Sequence, residues 1–168
     1  LADYVDNQQE ENNIQTNIIS PEKQKNMWDY IFNRINNDGK AYVVCSKIDE
    51  ENEDEDVIKL SANNVYKQLC ETYNKSDIGL IHGKLSKETQ AKVIENFRLG
   101  KIKVLISTTI VEVGVDIPDA NLLVIVTPER FGLATLHQLR GRIGRNGQES
   151  YCFCLSNNLN EKSYDRIK

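Results

Sequence analysis

From residue 20 onward, apolar positions along the chain fall into two alternating rhythms: steps of three and four residues, and short continuous runs. Ser20-Pro21 has the form of a helix N-cap followed by proline at the first helical position. Met27, Trp28, Ile31, Phe32 and Ile35 then recur on one helical face, and Gly39 ends that helix. Ala41 to Cys45 (AYVVC) is short and apolar, the pattern of a strand buried on both faces. A second amphipathic helix follows, with Val65, Tyr66, Leu69, Cys70 and Tyr73 as its stripe. Ile78 to Ile81 reads as strand, and Ser86 caps a third helix that ends at Gly100. Val104 to Ile106 and Asn121 to Val126 are further strands, with helical spacing over Gly132 to Arg142. Tyr151 to Leu155 is a last strand before a short C-terminal helix.

Strands that alternate with helices, and that are apolar almost throughout, imply a parallel sheet covered by helices on both faces with right-handed crossovers. The fold class is therefore α/β, and ligand sites in such sheets lie beyond the carboxyl ends of the strands. No internal repeat is present. Residues 1–15, polar and rich in asparagine, read as a frayed connector, which leaves 16–168 as one folded domain.

A chain of 168 residues is one domain long and can bury roughly 70% of its unfolded surface. Its 39% hydrophobic and 27% charged residues exclude a disordered chain. No apolar run nears the ~20 residues that cross a bilayer. The first 13 residues also lack the basic start and apolar centre of an export signal, so the chain reads as a soluble cytoplasmic protein. It begins at Leu1 without an initiator methionine, which suggests a piece of a longer polypeptide. Cys45, Cys70, Cys152 and Cys154 form no C-x-x-C pair and have no histidine at ligand spacing, so reduced thiols are expected and no metal site. The formal charge of -4 argues at first against nucleic acid. Seven acidic residues crowd into Asp49 to Asp56, however, and setting them aside moves the balance to +3. Such a run reads as a solvated loop, and the remainder of the chain is mildly basic.

Three segments carry candidate chemistry. In Gln138-Leu-Arg140-Gly141-Arg142-Ile-Gly144-Arg145, steps of four and seven place Gln138, Arg142 and Arg145 on one helical face, while Leu136, Leu139 and Ile143 turn to the core. Guanidinium forks match phosphate oxygens, so that face suits a polyphosphate; a solvated basic helix end is the other reading. Gly141 and Gly144 each cost a helix ~1 kcal/mol against alanine, which points to close backbone approach there. In Val104 to Pro118, Thr108 and Thr109 directly follow a strand, where hydroxyls and free amides bind phosphate. Gly114 and Asp116 follow in a loop, and a carboxylate there suits ribose hydroxyls; an ordinary turn closed by Asp116 is the alternative. The third segment is His82-Gly83-Lys84, again at a strand end before a helix. With His137 the only other histidine, neither a metal nor a general-base site is expected there.

These segments stand in the order and spacing of the C-terminal RecA-like domain of superfamily-two helicases, a resemblance that covers the chain from Ile18 onward. His82-Gly83 resembles the motif between the second and third strands, Ser107-Thr108-Thr109 with Gly114 and Asp116 resembles motif V, and QLRGRIGR resembles motif VI. The resemblance implies a fold like that of P-loop NTPases. Arg142 and Arg145 would reach the γ-phosphate of ATP, Gly114, Asp116 and Gln138 the nucleotide, and His82, Gly83, Thr108 and Thr109 the DNA backbone. DEAD-box RNA helicases carry histidine where Gln138 stands, and arginine at Leu139 and Val113, so RNA unwinding of that kind is not expected. AYVVC with its acidic sequel, VEVGVD, and Glu129-Arg-Phe-Gly-Leu133 leading to His137-Gln138 resemble the RecG family of fork-remodelling helicases. Transcription-repair coupling factors share much of this stretch and are the nearest alternative; a binding module without motor activity is another.

No G-x-x-x-x-G-K-[ST] phosphate loop occurs, and Asp49-Glu50 lies in the acidic run rather than at a strand end. The resemblance therefore implies that ATP and magnesium are held mainly by a first RecA-like half elsewhere in the polypeptide, alongside a wedge domain. It also implies a bacterial, nucleoid-associated monomer acting on branched or forked DNA.

Overall fold

The computed structural model describes residues 14–37, 39–47, 51, 55–108, 120–141, 143 and 150–155. Its strands are β1 (Ile14–Ile19), β2 (Ala41–Cys45), β3 (Ile78–Ile81), β4 (Val104–Thr108), β5 (Leu122–Val126) and β6 (Ser150–Leu155). They form one sheet in the order β1-β6-β5-β2-β4-β3, and every pairing is parallel. The helices are α1 (Gln24–Ile35), a single turn α2 (Glu55–Ile58), α3 (Ala62–Thr72), α4 (Lys87–Arg98) and α5 (Leu133–Arg140).

The strand pleat divides the core into two layers. Ala41, Val43 and Cys45 of β2, with Leu122, Val124 and Val126 of β5, face the stripes Met27, Ile31, Phe32, Ile35 of α1 and Ala62, Val65, Leu69 of α3. Tyr42 and Val44, with Leu123 and Ile125, face Phe97 of α4 and Leu136 and Leu139 of α5. Both central strands are buried along their whole length, as the unbroken apolar runs require. The expected fold class holds: an open parallel sheet with helices on both sides.

Local devices hold the helices at fixed heights on the sheet. Ser61 and Ser86 cap α3 and α4, their hydroxyls accepting from the Asn64 and Thr89 amides. Helix α4 ends in a Schellman arrangement. The Gly100 amide donates to the Phe97 carbonyl and the Lys101 amide to the Asn96 carbonyl, with Gly100 at φ 82°. Lys40 extends its ammonium to the Arg98 carbonyl at 3.0 Å, tying that helix end to the start of β2.

Two sequence expectations shift in detail. β1 was not anticipated, and it begins at Ile14, pairing along β6 from Ser150 to Leu155. The acidic run is not loop throughout, because Glu55 opens α2, where a carboxylate is favoured by the unpaired amides of a helix start. The rest of that run beyond Glu51, and the expected C-terminal helix, lie outside the described residues.

Candidate functional site

Because all the strands run the same way, their carboxyl ends form one edge of the sheet. In register, Cys45 of β2 lies opposite Thr108 of β4, and Ile81 of β3 opposite Ser107. His82 and Thr108 therefore emerge on adjacent strands, about 4.8 Å apart in the pairing direction. The predicted DNA-contact residues His82, Gly83 and Thr108 are brought together here. The Thr108 Oγ1 is enclosed yet makes no hydrogen bond. Beneath it the Ser107 hydroxyl donates to the Thr108 carbonyl at 3.1 Å and lies 3.1 Å from the Tyr42 hydroxyl. A hydroxyl left unmatched at a strand end is costly unless a ligand group completes it. Thr109 lies outside the described residues.

His82 is fixed by its own turn. The Lys84 amide donates to His82 Nδ1 at 3.2 Å, so in the neutral ring the proton sits on Nε2, a donor. Gly83 and Lys84 are exposed beside it.

Two strands further along the edge, Ser46 and Thr127 close the gap between β2 and β5. The Thr127 hydroxyl donates to the Val126 carbonyl at 2.6 Å, so the Ser46 hydroxyl, 2.7 Å away, must donate to Thr127. The Thr127 amide also donates to the Leu155 carbonyl at 2.7 Å, joining β6 to the same knot. Cys45, next to Ser46, is fully enclosed, and burial pushes its thiol well above the ordinary range. It stays protonated and is no nucleophile.

From this knot the turn Pro128–Arg130 leads to buried Phe131 and then into α5. Leu136, Leu139 and Ile143 are buried as expected, and Gln138 is exposed on the opposite side. The helix ends at Arg140 with Gly141 as its C-cap. Among the described residues, a side chain at Gly141 would meet the helix's own carbonyls, His137 and Gln138, at 3.4 and 3.5 Å. Glycine here stands at a helix end, where it costs little. Gly114, Asp116, Arg142, Gly144 and Arg145 lie outside the described residues, so of the residues expected to face the nucleotide only Gln138 is described. Among the described residues no group of three or more His, Cys, Asp and Glu side chains could hold a metal ion, and no helix is long and apolar enough to cross a membrane.

Residues 10–147 match the model of the helicase conserved C-terminal domain. The chain belongs to the helicase C-terminal domain family. Within that family it is similar to the ATP-dependent DNA helicase RecG of Thermotoga maritima, with 39% identity over 156 residues, 92% of this chain and 20% of that protein. RecG of Staphylococcus aureus is 44% identical over 128 residues, 76% of this chain and 18% of that protein. The chain thus spans about a fifth of the length of these relatives. Among solved structures, RecG bound to a three-way DNA junction superposes with a TM-score of 0.72 at 36% identity, covering 92% of this chain and 19% of that one. The C-terminal domain of the DEAD-box protein Dbp5 superposes at 0.63 with 19% identity over 92% of this chain and 79% of its own, a likeness of fold.

Sequence reasoning missed three contributors to this edge of the helicase domain: Ser46, Thr127 and Gln90. Serine and threonine after a strand read as ordinary turn residues, and their mutual bond joins positions 81 apart in sequence. Gln90 reads as a surface residue of α4, yet its amide reaches back into the His82 turn.

Proposed function

We propose that this chain is the C-terminal motor half of a RecG-type ATP-dependent DNA helicase acting on branched DNA in recombination and repair. The observation that carries the reading is the identity of 36% and 39% with RecG proteins across 92% of the chain, one of them solved on a three-way junction. The site agrees with it: hydroxyl and imidazole groups gather at the β3–β4 end of the carboxyl edge, and the helix bearing Gln138 follows β5, two strands along from β4. DNA lies along His82, Gly83, Thr108 and Thr109, held through its phosphates, so that binding ignores base sequence. ATP and its magnesium lie between this half and a first RecA-like half of the same polypeptide, which supplies the phosphate loop that this sequence lacks.

In this arrangement Gly114, Asp116 and Gln138 border the nucleotide, and Arg142 and Arg145 serve as arginine fingers that stabilise charge on the transferring phosphoryl group. Such fingers contribute roughly 10³ to 10⁵ in rate. Closing the two halves on ATP moves the Thr108 surface along the DNA backbone, and opening after hydrolysis resets it. The protein works as a monomer in the bacterial cytoplasm, at the nucleoid, with a wedge domain that engages the branch point. The test is Arg145→Ala in the intact protein. DNA-stimulated ATP turnover is expected to fall at least about 10³-fold; turnover near the parent level refutes the finger assignment.

A further inference from the structure

The turn from β3 into α4 is held by a residue outside every motif. Gln90 lies one helical turn into α4, half-buried, with its side-chain amide directed back under residues 82–85. Its Nε2 donates to the His82 carbonyl at 3.2 Å and to the Leu85 carbonyl at 3.1 Å, one proton for each. The Leu85 amide also donates to the His82 carbonyl at 3.2 Å, and the Lys84 amide to His82 Nδ1. At the other end of the turn, Ser86 Oγ caps α4 and sits 2.9 Å from Thr89 Oγ1. Carbonyls are therefore gathered inward. His82 and the exposed Gly83 follow directly on Ile81 at the carboxyl edge, on the strand next to the one that ends in Thr108.

We propose that Gln90 is a positioning residue for DNA, holding the His82–Leu85 turn in the shape that presents His82 and Gly83 to a backbone phosphate. This rests on the functional reading above. A turn already ordered in the free protein does not have to be ordered when the phosphate arrives, so the amide contributes to affinity without touching DNA. Without it, the His82 carbonyl keeps only the Leu85 amide and the Leu85 carbonyl loses its side-chain donor. The ordering cost then moves to the binding step. Maximal turnover, which depends on closure around ATP, is unaffected.

The experiment titrates forked DNA against ATP turnover of the intact protein for the parent, Gln90→Met, Gln90→Glu and Gln90→Lys. Methionine has the same reach and no N–H, and the half-saturating DNA concentration should rise about tenfold at unchanged maximal rate. Glutamate turns an acceptor toward two carbonyls and should be no better than methionine. Lysine restores donors to both carbonyls, so affinity should return toward the parent with the parental salt dependence, because that ammonium is not free for phosphate. Parental half-saturation in Gln90→Met, or Gln90→Lys no better than Gln90→Met, overturns the proposal. Amide exchange of the intact protein reads the turn independently of helicase action. Gln90→Met should speed exchange at Lys84 and Leu85, and unchanged exchange also overturns the proposal. If the parent itself shows no DNA-stimulated turnover, the functional reading fails instead, and exchange still decides the role of Gln90.

Discussion

Thr127 has a φ of 52°, the only positive value among the described non-glycine residues, and it is both β-branched and followed by proline. Either property alone disfavours the left-handed region, and such a residue persists only where its surroundings over-determine it, at a cost on the order of 1–3 kcal/mol. Here three bonds fix it: from the Ser46 hydroxyl, to the Val126 carbonyl and to the Leu155 carbonyl. Thr127→Val keeps the backbone strain and removes the hydroxyl, leaving Ser46 buried without its acceptor. A loss of about 2 kcal/mol is expected. Urea unfolding followed through the single tryptophan, Trp28, measures it, and a loss below about 0.5 kcal/mol, the level of an ordinary surface change, would show that the knot carries little of the strain. The Thr127 knot was not legible in the sequence. Thr-Pro after a strand reads as extended chain, and Ser46 as a loop residue. The His82 turn was half legible, since its place at a strand end could be read but its ring's bond to the Lys84 amide could not.

Elements were read more successfully than residues, because burial on one face writes a period into the sequence. The stripes of α1 and α3 fall where they were expected, and the caps Ser61 and Ser86 engage the amides three residues on. β1 escaped for the opposite reason. Its segment IQTNII sits among asparagines, which strands disfavour, and its place comes from pairing with β6, about 136 residues away in sequence. At the end proposed to face DNA, α4 bears a feature that can be tested as a unit. Lys84 in the turn and Lys87 at the first helical position are both exposed, flanking the Ser86 cap. If the backbone of duplex DNA follows this edge, each lysine replaces about one counterion. Lys84→Ala and Lys87→Ala should each flatten the slope of log affinity against log salt by about 0.9, without changing sequence preference. Unchanged slopes for both would place the phosphates elsewhere on the domain.

For the whole molecule, the alternation of strand and helix conveyed the layered parallel sheet but not the order β1-β6-β5-β2-β4-β3, which depends on long-range pairings that no local pattern encodes. The carboxyl edge follows from parallelism alone, and so His82, Gly83 and Thr108 could be grouped before their geometry was known. Net charge decides little: the acidic run of Asp49 to Asp56 masks a basic remainder, so the average over the chain is no guide to what one edge attracts. The same edge sets the limit of what the chain can do alone. It offers groups that match phosphate, while the sequence carries no G-x-x-x-x-G-K-[ST] loop of the kind that cradles a nucleotide's own phosphates. An arginine finger lowers a barrier only for a substrate held elsewhere in line with it. Turnover of ATP by this chain should therefore stay at background with or without forked DNA. Adding a separately produced segment that bears the phosphate loop should raise turnover with DNA by about 10³ or more, in step with what fingers contribute in trans. Turnover by the chain alone, surviving removal of contaminating hydrolases, would mean that a complete nucleotide site exists on this half. The division of labour between two halves would then be wrong, whatever the resemblance to RecG.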